Sequence, residues 1–197
     1  FTNLFEAYRL KGFRLIFLVG FLYQAGFAFF TSFISVYLYK KFNFNQGSIG
    51  EFFAFAGIWI ALTQLFVTKL MIRRFSDAAI VKLGLAVCSL SIFALFALDA
   101  SWQLYVLTTF FAIANGLVQT SILSIVSAMA PATAQGKILG INSSMYALAQ
   151  ALPPLIAGFL AAGLQAQTPL IVAGIVTVLT TVIFITRFKM SPVAVLQ

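Results

Sequence analysis

The chain has 197 residues, 62% of them hydrophobic and only 8% charged, with a mean hydropathy of +1.05. A soluble domain of this size could not hide so much apolar surface, so the composition points to an integral membrane protein. Twelve Lys and Arg stand against four Asp and Glu. They sit at helix ends rather than in one cluster, which reads as a topology signal and argues against nucleic-acid binding. The 23 Phe suit lipid-facing and helix-packing surfaces, and the apolar runs are too continuous for the alternation of an outer-membrane barrel. With no His and one Cys, Cys88, the chain offers neither the usual general base nor an internal disulfide. No metal cluster and no cofactor motif is visible. The opening at Phe1, with no Met and no signal-peptide pattern, reads as a piece of something longer.

In chain order, residues 1–14 read as a basic, partly amphipathic lead-in carrying Glu6, Arg9, Lys11 and Arg14. A first span is predicted from Leu15 to Leu38, followed by a polar loop from Lys40 to Ser48. The second, Ile49 to Ile72, opens on Ser48-x-x-Glu51, the spacing of a capping box, and closes on Lys69, Arg73 and Arg74, cations suited to a carbonyl end. Ser76 and Asp77 favour a helix start for a third span from Ala78 to Leu98. Asp99-Ala100-Ser101 reads as a tight turn, and Trp102 and Tyr105 as interfacial aromatics. The fourth span covers Trp102 to Met129 and stops at Ala130-Pro131.

The fifth, Gly136 to Leu160, has no charge after Lys137 for more than the ~20 residues that cross a bilayer, and Pro153-Pro154 is expected to interrupt its second half. After a loop from Gly163 to Gln167, Thr168-Pro169 supplies an N-cap and a first-turn proline for a sixth span ending near Thr186. Residues 188–197 form a tail. The expected fold is all-α and integral to the membrane, with units at 15–98 and 99–187.

Arg9, Lys11, Arg14, Lys69, Arg73, Arg74, Lys82, Lys137, Arg187 and Lys189 fall on one side of this arrangement, and only Lys40 and Lys41 on the other. The bias predicts that both termini are cytoplasmic. An internal repeat is also visible. Gly50 precedes Ala61-Leu62-Thr63-Gln64 as Gly136 precedes Ala147-Leu148-Ala149-Gln150, and Thr31-Ser32-x-x-Ser35 recurs as Thr120-Ser121-x-x-Ser124. The offsets are 86 and 89, so the two units look like tandem copies. An odd number of spans per copy inverts the second in the membrane.

Deep Asn and Gln occur in spans one, two, four and five, but not in three and six. The candidate substrate contacts are therefore Gln24 and Thr31, Gln64, Asn115 and Gln119, and Asn142, Tyr146 and Gln150. Asn142, Tyr146 and Gln150 recur four residues apart and share a helix face. Such groups can orient a ligand while Phe27 and Trp59 supply apolar walls. The plainer reading is that they hydrogen-bond between packed helices, each pair contributing ~1 kcal/mol or less. Gly140 with Pro153 and Pro154 reads as a hinge, or as a static kink. Proton coupling needs a titratable group at depth. Glu51 is the nearest, in a capping position, while Asp77 and Asp99 fall in loops and Glu6 in the lead-in.

Gln135-Gly136-x-x-x-Gly140, the small polar face Asn142-Ser143-Ser144 and Pro153-Pro154-Leu155 together resemble the fifth helix of the C-terminal half of a major facilitator superfamily transporter. The nearest likeness is to the drug:proton antiporter branch, which includes tetracycline exporters; Pro153 stands where that branch usually has Gly. Arg73-Arg74-Phe75-Ser76-Asp77, followed by Lys82-Leu83-Gly84, looks like a degenerate copy of that family's cytoplasmic gating loop, with Ser76 in place of its usual Gly.

The resemblance implies half of a twelve-helix fold, built from two inverted three-helix repeats, whose first, second, fourth and fifth helices line a central cavity. It implies alternating access against an N-terminal six-helix half or a second copy, with export of small amphipathic compounds in exchange for protons, in a cytoplasmic membrane. An importer of a metabolite or siderophore-like compound remains open, as does a freestanding six-helix channel or scaffold. Without His, an intramembrane carboxylate pair or a Ser with a base, an enzyme is not expected.

Overall fold

The computed structural model describes residues 13–163 and 168–188, which are helices and the short connections between them. The long helices are α1 (Phe13–Phe42), α2 (Gln46–Ile72), α3 (Asp77–Ala97), α4 (Ser101–Met129), α5 (Gln135–Gly163) and α6 (Thr168–Arg187). Among the described residues, five of them (all but α5) are apolar and long enough to cross a membrane. At 29 residues α5 matches α4 in length, about 43 Å at 1.5 Å per residue. Gly163, expected to open a loop to Gln167, is the last residue of α5; residues 164–167 of that loop, Glu6, Arg9 and Lys11 of the lead-in and the tail beyond Phe188 lie outside the described residues.

Local chemistry moves several boundaries from their expected places. Arg14 belongs to α1, not to the lead-in. Lys40 and Lys41 are not in a loop: α1 continues to Phe42, placing both cations in its last turn, where they suit the carbonyl end. Lys41 Nζ donates to the Phe96 carbonyl at the end of α3, 3.0 Å away. The chain then reverses at Asn43, whose φ of 54° is the left-handed conformation Asn tolerates at a helix end. The Phe44 N–H bonds back to the Leu38 carbonyl at 3.4 Å, and the buried Phe44 ring packs on Phe42 with centroids 6.0 Å apart.

Directly after this reversal, Asn45 caps α2. Its Oδ1 accepts from the Ser48 backbone N–H at 2.9 Å and from the Ser48 hydroxyl at 3.2 Å. The capping box expected at Ser48 and Glu51 therefore does not form. Asn is among the strongest N-caps, and the turn delivers it three residues earlier, leaving Ser48 as a donor. At α3 the cap is Ser76, whose Oγ accepts from the Ala79 N–H at 3.3 Å. Gln103 reaches back from the first turn of α4 to accept from Asp99 and Ala100, both at 3.1 Å. The Pro153-Pro154 pair does not interrupt α5, which runs unbroken through it. Membrane helices accommodate proline because neighbouring groups and local adjustments take up the freed carbonyls.

Helix α1 packs along α5 and α6 and also touches α4; α4 packs along α3 and α2, and α3 packs on α6. Val19, Ile34, Leu38, Val81, Leu85 and Ile122 form part of the shared core. Leu90 and Phe93 of α3, with Ile175, Leu179, Val182 and Ile185 of α6, stay exposed, as apolar residues facing acyl chains do. Between α3 and α6, Ser89 and Thr181 pair hydroxyl to hydroxyl at 3.0 Å. Helix α2 is the least covered: 11% of its apolar window is buried, against 61% for α4.

Candidate functional site

The buried polar centre of the bundle joins α1, α3 and α4. Tyr23 donates its hydroxyl to Asn115 Oδ1 at 2.5 Å, Gln119 Nε2 donates to the same oxygen at 3.1 Å, and Cys88 Sγ lies 3.6 Å from the Tyr23 oxygen. Asn115 is fully buried. Its Nδ2 and the Gln24 Oε1 are buried with no protein partner. Orphaned polar atoms at this depth are costly unless they meet water or a ligand.

Helix α5 closes one side of this centre. Tyr146 lies over Gly20, where an added Cβ would come within 3.0 Å of its ring and 3.1 Å of its hydroxyl oxygen. That hydroxyl is also buried without a partner, and Asn142, one turn earlier, is buried. On the other side α2 meets α4 through Gly116, whose added Cβ would sit 3.0 Å from Thr63 Cγ2. Aromatic contacts extend that seam, with Tyr105 5.2 Å from Phe55 and 6.4 Å from Phe52, centroid to centroid.

Of the eight candidate contacts, the structure brings Asn115 and Gln119 into one network and buries Gln24 and Asn142. Tyr146 is half-buried against α1. Thr31 spends its hydroxyl proton on its own helix, on the Phe27 and Ala28 carbonyls at 3.1 and 3.3 Å. Gln64 and Gln150 are exposed, on α2 and α5. Tyr23 and Cys88 were not among the candidates. In a helix this rich in Phe, a Tyr reads as one more ring, yet a Tyr hydroxyl buried mid-span demands a partner, and that signal was available.

Gly140 faces open space, with nothing within 4 Å of an added Cβ, while Pro153 is buried and Pro154 exposed. Arg73 and Arg74 are exposed at the end of α2. Asp77, read as a loop residue, lies in the first turn of α3, where its Oδ2 accepts from Ser124 Oγ of α4 at 2.7 Å. Carboxylates suit a helix N-terminus. Among the described residues, no group of His, Cys, Asp and Glu could hold a metal ion.

A separate cavity of about 250 Å³ lies between α1, α2, α3 and α4, in the half of the bundle nearest the 43–45 and 98–100 connections. Its walls are almost wholly apolar and rich in Phe, and of the eight candidate contacts only Thr31 lines it.

Long apolar helices around a buried polar network define a multi-pass membrane protein. Residues 16–195 match the family described as the Major Facilitator Superfamily, and the chain belongs to that family. Its work is therefore membrane transport rather than catalysis. A comparison with curated proteins gave no match.

Proposed function

We propose that the chain is the C-terminal half of a secondary active transporter that exports small amphipathic compounds in exchange for protons by alternating access. The observation that carries this reading is the correspondence of α2 and α5. From 57 to 65 and from 143 to 151 the two helices have the same sequence of exposed, half-buried and buried positions, residue for residue. Gln64 and Gln150 fall at matching exposed places, and Thr63 and Ala149 at matching buried ones.

The helix pairing supports the same scheme. Exchanging α1 with α4, α2 with α5 and α3 with α6 turns the α1–α5 and α1–α6 contacts into the α4–α2 and α4–α3 contacts. Thr31 and Thr120, equivalent in the sequence repeat, each donate to the carbonyls three and four residues back. This is the pattern expected of two three-helix copies, the second inverted.

In this reading the uncovered faces of α2 and α5 receive a second six-helix unit, and Gln64, Gln119 and Gln150 meet the substrate between the halves. The amides of Gln24, Asn115 and Asn142, with Tyr146, stand behind them. Gly140, open on this chain alone, packs against the other unit. Both termini are cytoplasmic, and the membrane is the cytoplasmic one. Glu51 and Asp99 are exposed at helix ends and Asp77 is bonded to Ser124 in the first turn of α3, so in this reading the coupling carboxylate belongs to the other unit. Transport by the full-length protein into inverted vesicles, across a panel of amphipathic compounds and with an imposed pH gradient, tests the reading. It expects gradient-dependent accumulation that Gln64→Ala and Gln150→Ala each reduce at least fivefold, with Glu51→Gln leaving coupling intact. Accumulation indifferent to the gradient and to both amides would refute it.

A further inference from the structure

The Phe-rich cavity between α1 and α4 is not accounted for by that scheme, because α3, a backing helix, forms one of its walls. Phe27, Phe30, Phe52, Phe53 and Phe111 surround it. Phe27 and Phe111 lie nearly parallel, 19° apart with centroids at 6.3 Å, and Phe30 sits 4.8 Å from Phe111.

Two hydroxyls in these walls depart from the bundle's common pattern, as Ser121, buried in α4 away from the cavity, also does. A helical Ser or Thr in hydrocarbon usually returns its proton to the carbonyl one turn back. Thr63, Ser89, Thr109, Thr177, Thr180 and Thr181 all do so here, at 2.7 to 3.0 Å. Ser91 and Thr108 do not. Each is 6% exposed, each lines the cavity, and neither has a hydrogen-bond partner among the described residues. Thr31 adds an oxygen whose proton is already committed and which can only accept.

We infer that this cavity is a binding site for a small aromatic molecule of one to two rings bearing a hydroxyl. The volume fits: an apolar cavity of about 150 Å³ holds benzene, and this one is larger. The chemistry fits as well. Aromatic walls with a few convergent polar groups are the usual make-up of a small-molecule pocket. A hydroxyl can accept from Ser91 or Thr108 and donate to Thr31. A lipid acyl chain would leave the two free donors unanswered. The inference needs only occupancy, so its failure would leave the transport reading standing, and the reverse also holds.

The test uses the full chain in phosphatidylcholine nanodiscs, with radiolabelled 2-naphthol and naphthalene as probes and empty nanodiscs as the blank. Saturable 2-naphthol binding at one site per chain is expected. An added Cβ at Gly57, in the cavity wall, meets nothing within 4 Å, so a side chain can be introduced there, and Gly57→Leu is expected to weaken both probes at least tenfold. The near-isosteric pair Ser91→Ala and Thr108→Val is expected to weaken 2-naphthol at least fivefold and naphthalene less than twofold. Melting temperatures of the variants report that they remain folded. The site is overturned by binding no greater than to empty nanodiscs, by wild-type affinity in Gly57→Leu, or by equal losses of the two probes in the hydroxyl variant.

Discussion

Aligned on Gln64 and Gln150, α2 and α5 leave regular α-helical chemistry at the same place and by different means. In α2 the backbone passes through a π-helical turn, Thr63–Val67, and Thr68 Oγ1 satisfies the Thr63 carbonyl at 3.0 Å. The same hydroxyl lies 3.5 Å from Thr120 Oγ1 of α4. In α5 the equivalent stretch ends at Pro153 and Pro154, which withhold two N–H donors from the helix. The π-helical turn of α2 is thus fastened to a neighbour by side-chain hydroxyls, whereas α5 stays α-helical through its prolines and lacks their two N–H donors. Two helices can share a burial pattern while differing in how firmly each is tied to the bundle.

The largest contrast is expected at two glycines. Gly116→Val drives a branched side chain into Thr63 where α2 meets α4, and overpacking of this kind costs about 1–3 kcal/mol. Gly140→Val, where this chain by itself leaves open space, should change the stability of the chain on its own by less than about 0.5 kcal/mol. Thermal unfolding of the two variants in detergent checks this, and equal losses would break the comparison.

Next in size is Asn115→Ala, which takes the shared acceptor from the buried Tyr23 hydroxyl and the half-buried Gln119 amide and should cost about 1–3 kcal/mol. Tyr23→Phe removes one donor and leaves Gln119 paired, so its loss should be the smaller in the same assay. Thr68→Val takes the hydroxyl from the π-helical turn and should cost about 0.6–1 kcal/mol, the range of single hydrogen bonds between or within membrane helices. Pro154→Ala, at the matching place in α5, should not destabilise, since it restores an N–H and removes no partner. The smallest effects belong to Gln64→Ala and Gln150→Ala, which should stay within about 0.5 kcal/mol of wild type even where transport falls. A large loss of stability at either amide would show that it is packing glue after all.

Much of the fold was legible along the chain because a membrane helix announces itself by composition and length. Ser76 was recognisable as a cap for the same reason, its chemistry being local. The start of α2 was misread because two capping signals lay three residues apart, and the left-handed turn at Asn43 favoured the nearer one. Tyr23 and Cys88 escaped notice because what makes them polar centres is a partner 92 residues away for Tyr23 and 65 for Cys88. Gln24 and Gln64 looked alike in sequence, yet one is buried and the other exposed.

By itself the sequence determined that this protein lives in a bilayer, roughly where its helices run, and that α2 and α5 carry a repeated text. Those properties follow from side-chain chemistry taken a few residues at a time. Only the tertiary structure decided which amides join a network, which hydroxyls are left free, and where a void opens among the phenylalanines. Such features belong to the gaps between helices, and a gap is fixed by how neighbouring surfaces meet, which no single stretch of chain encodes.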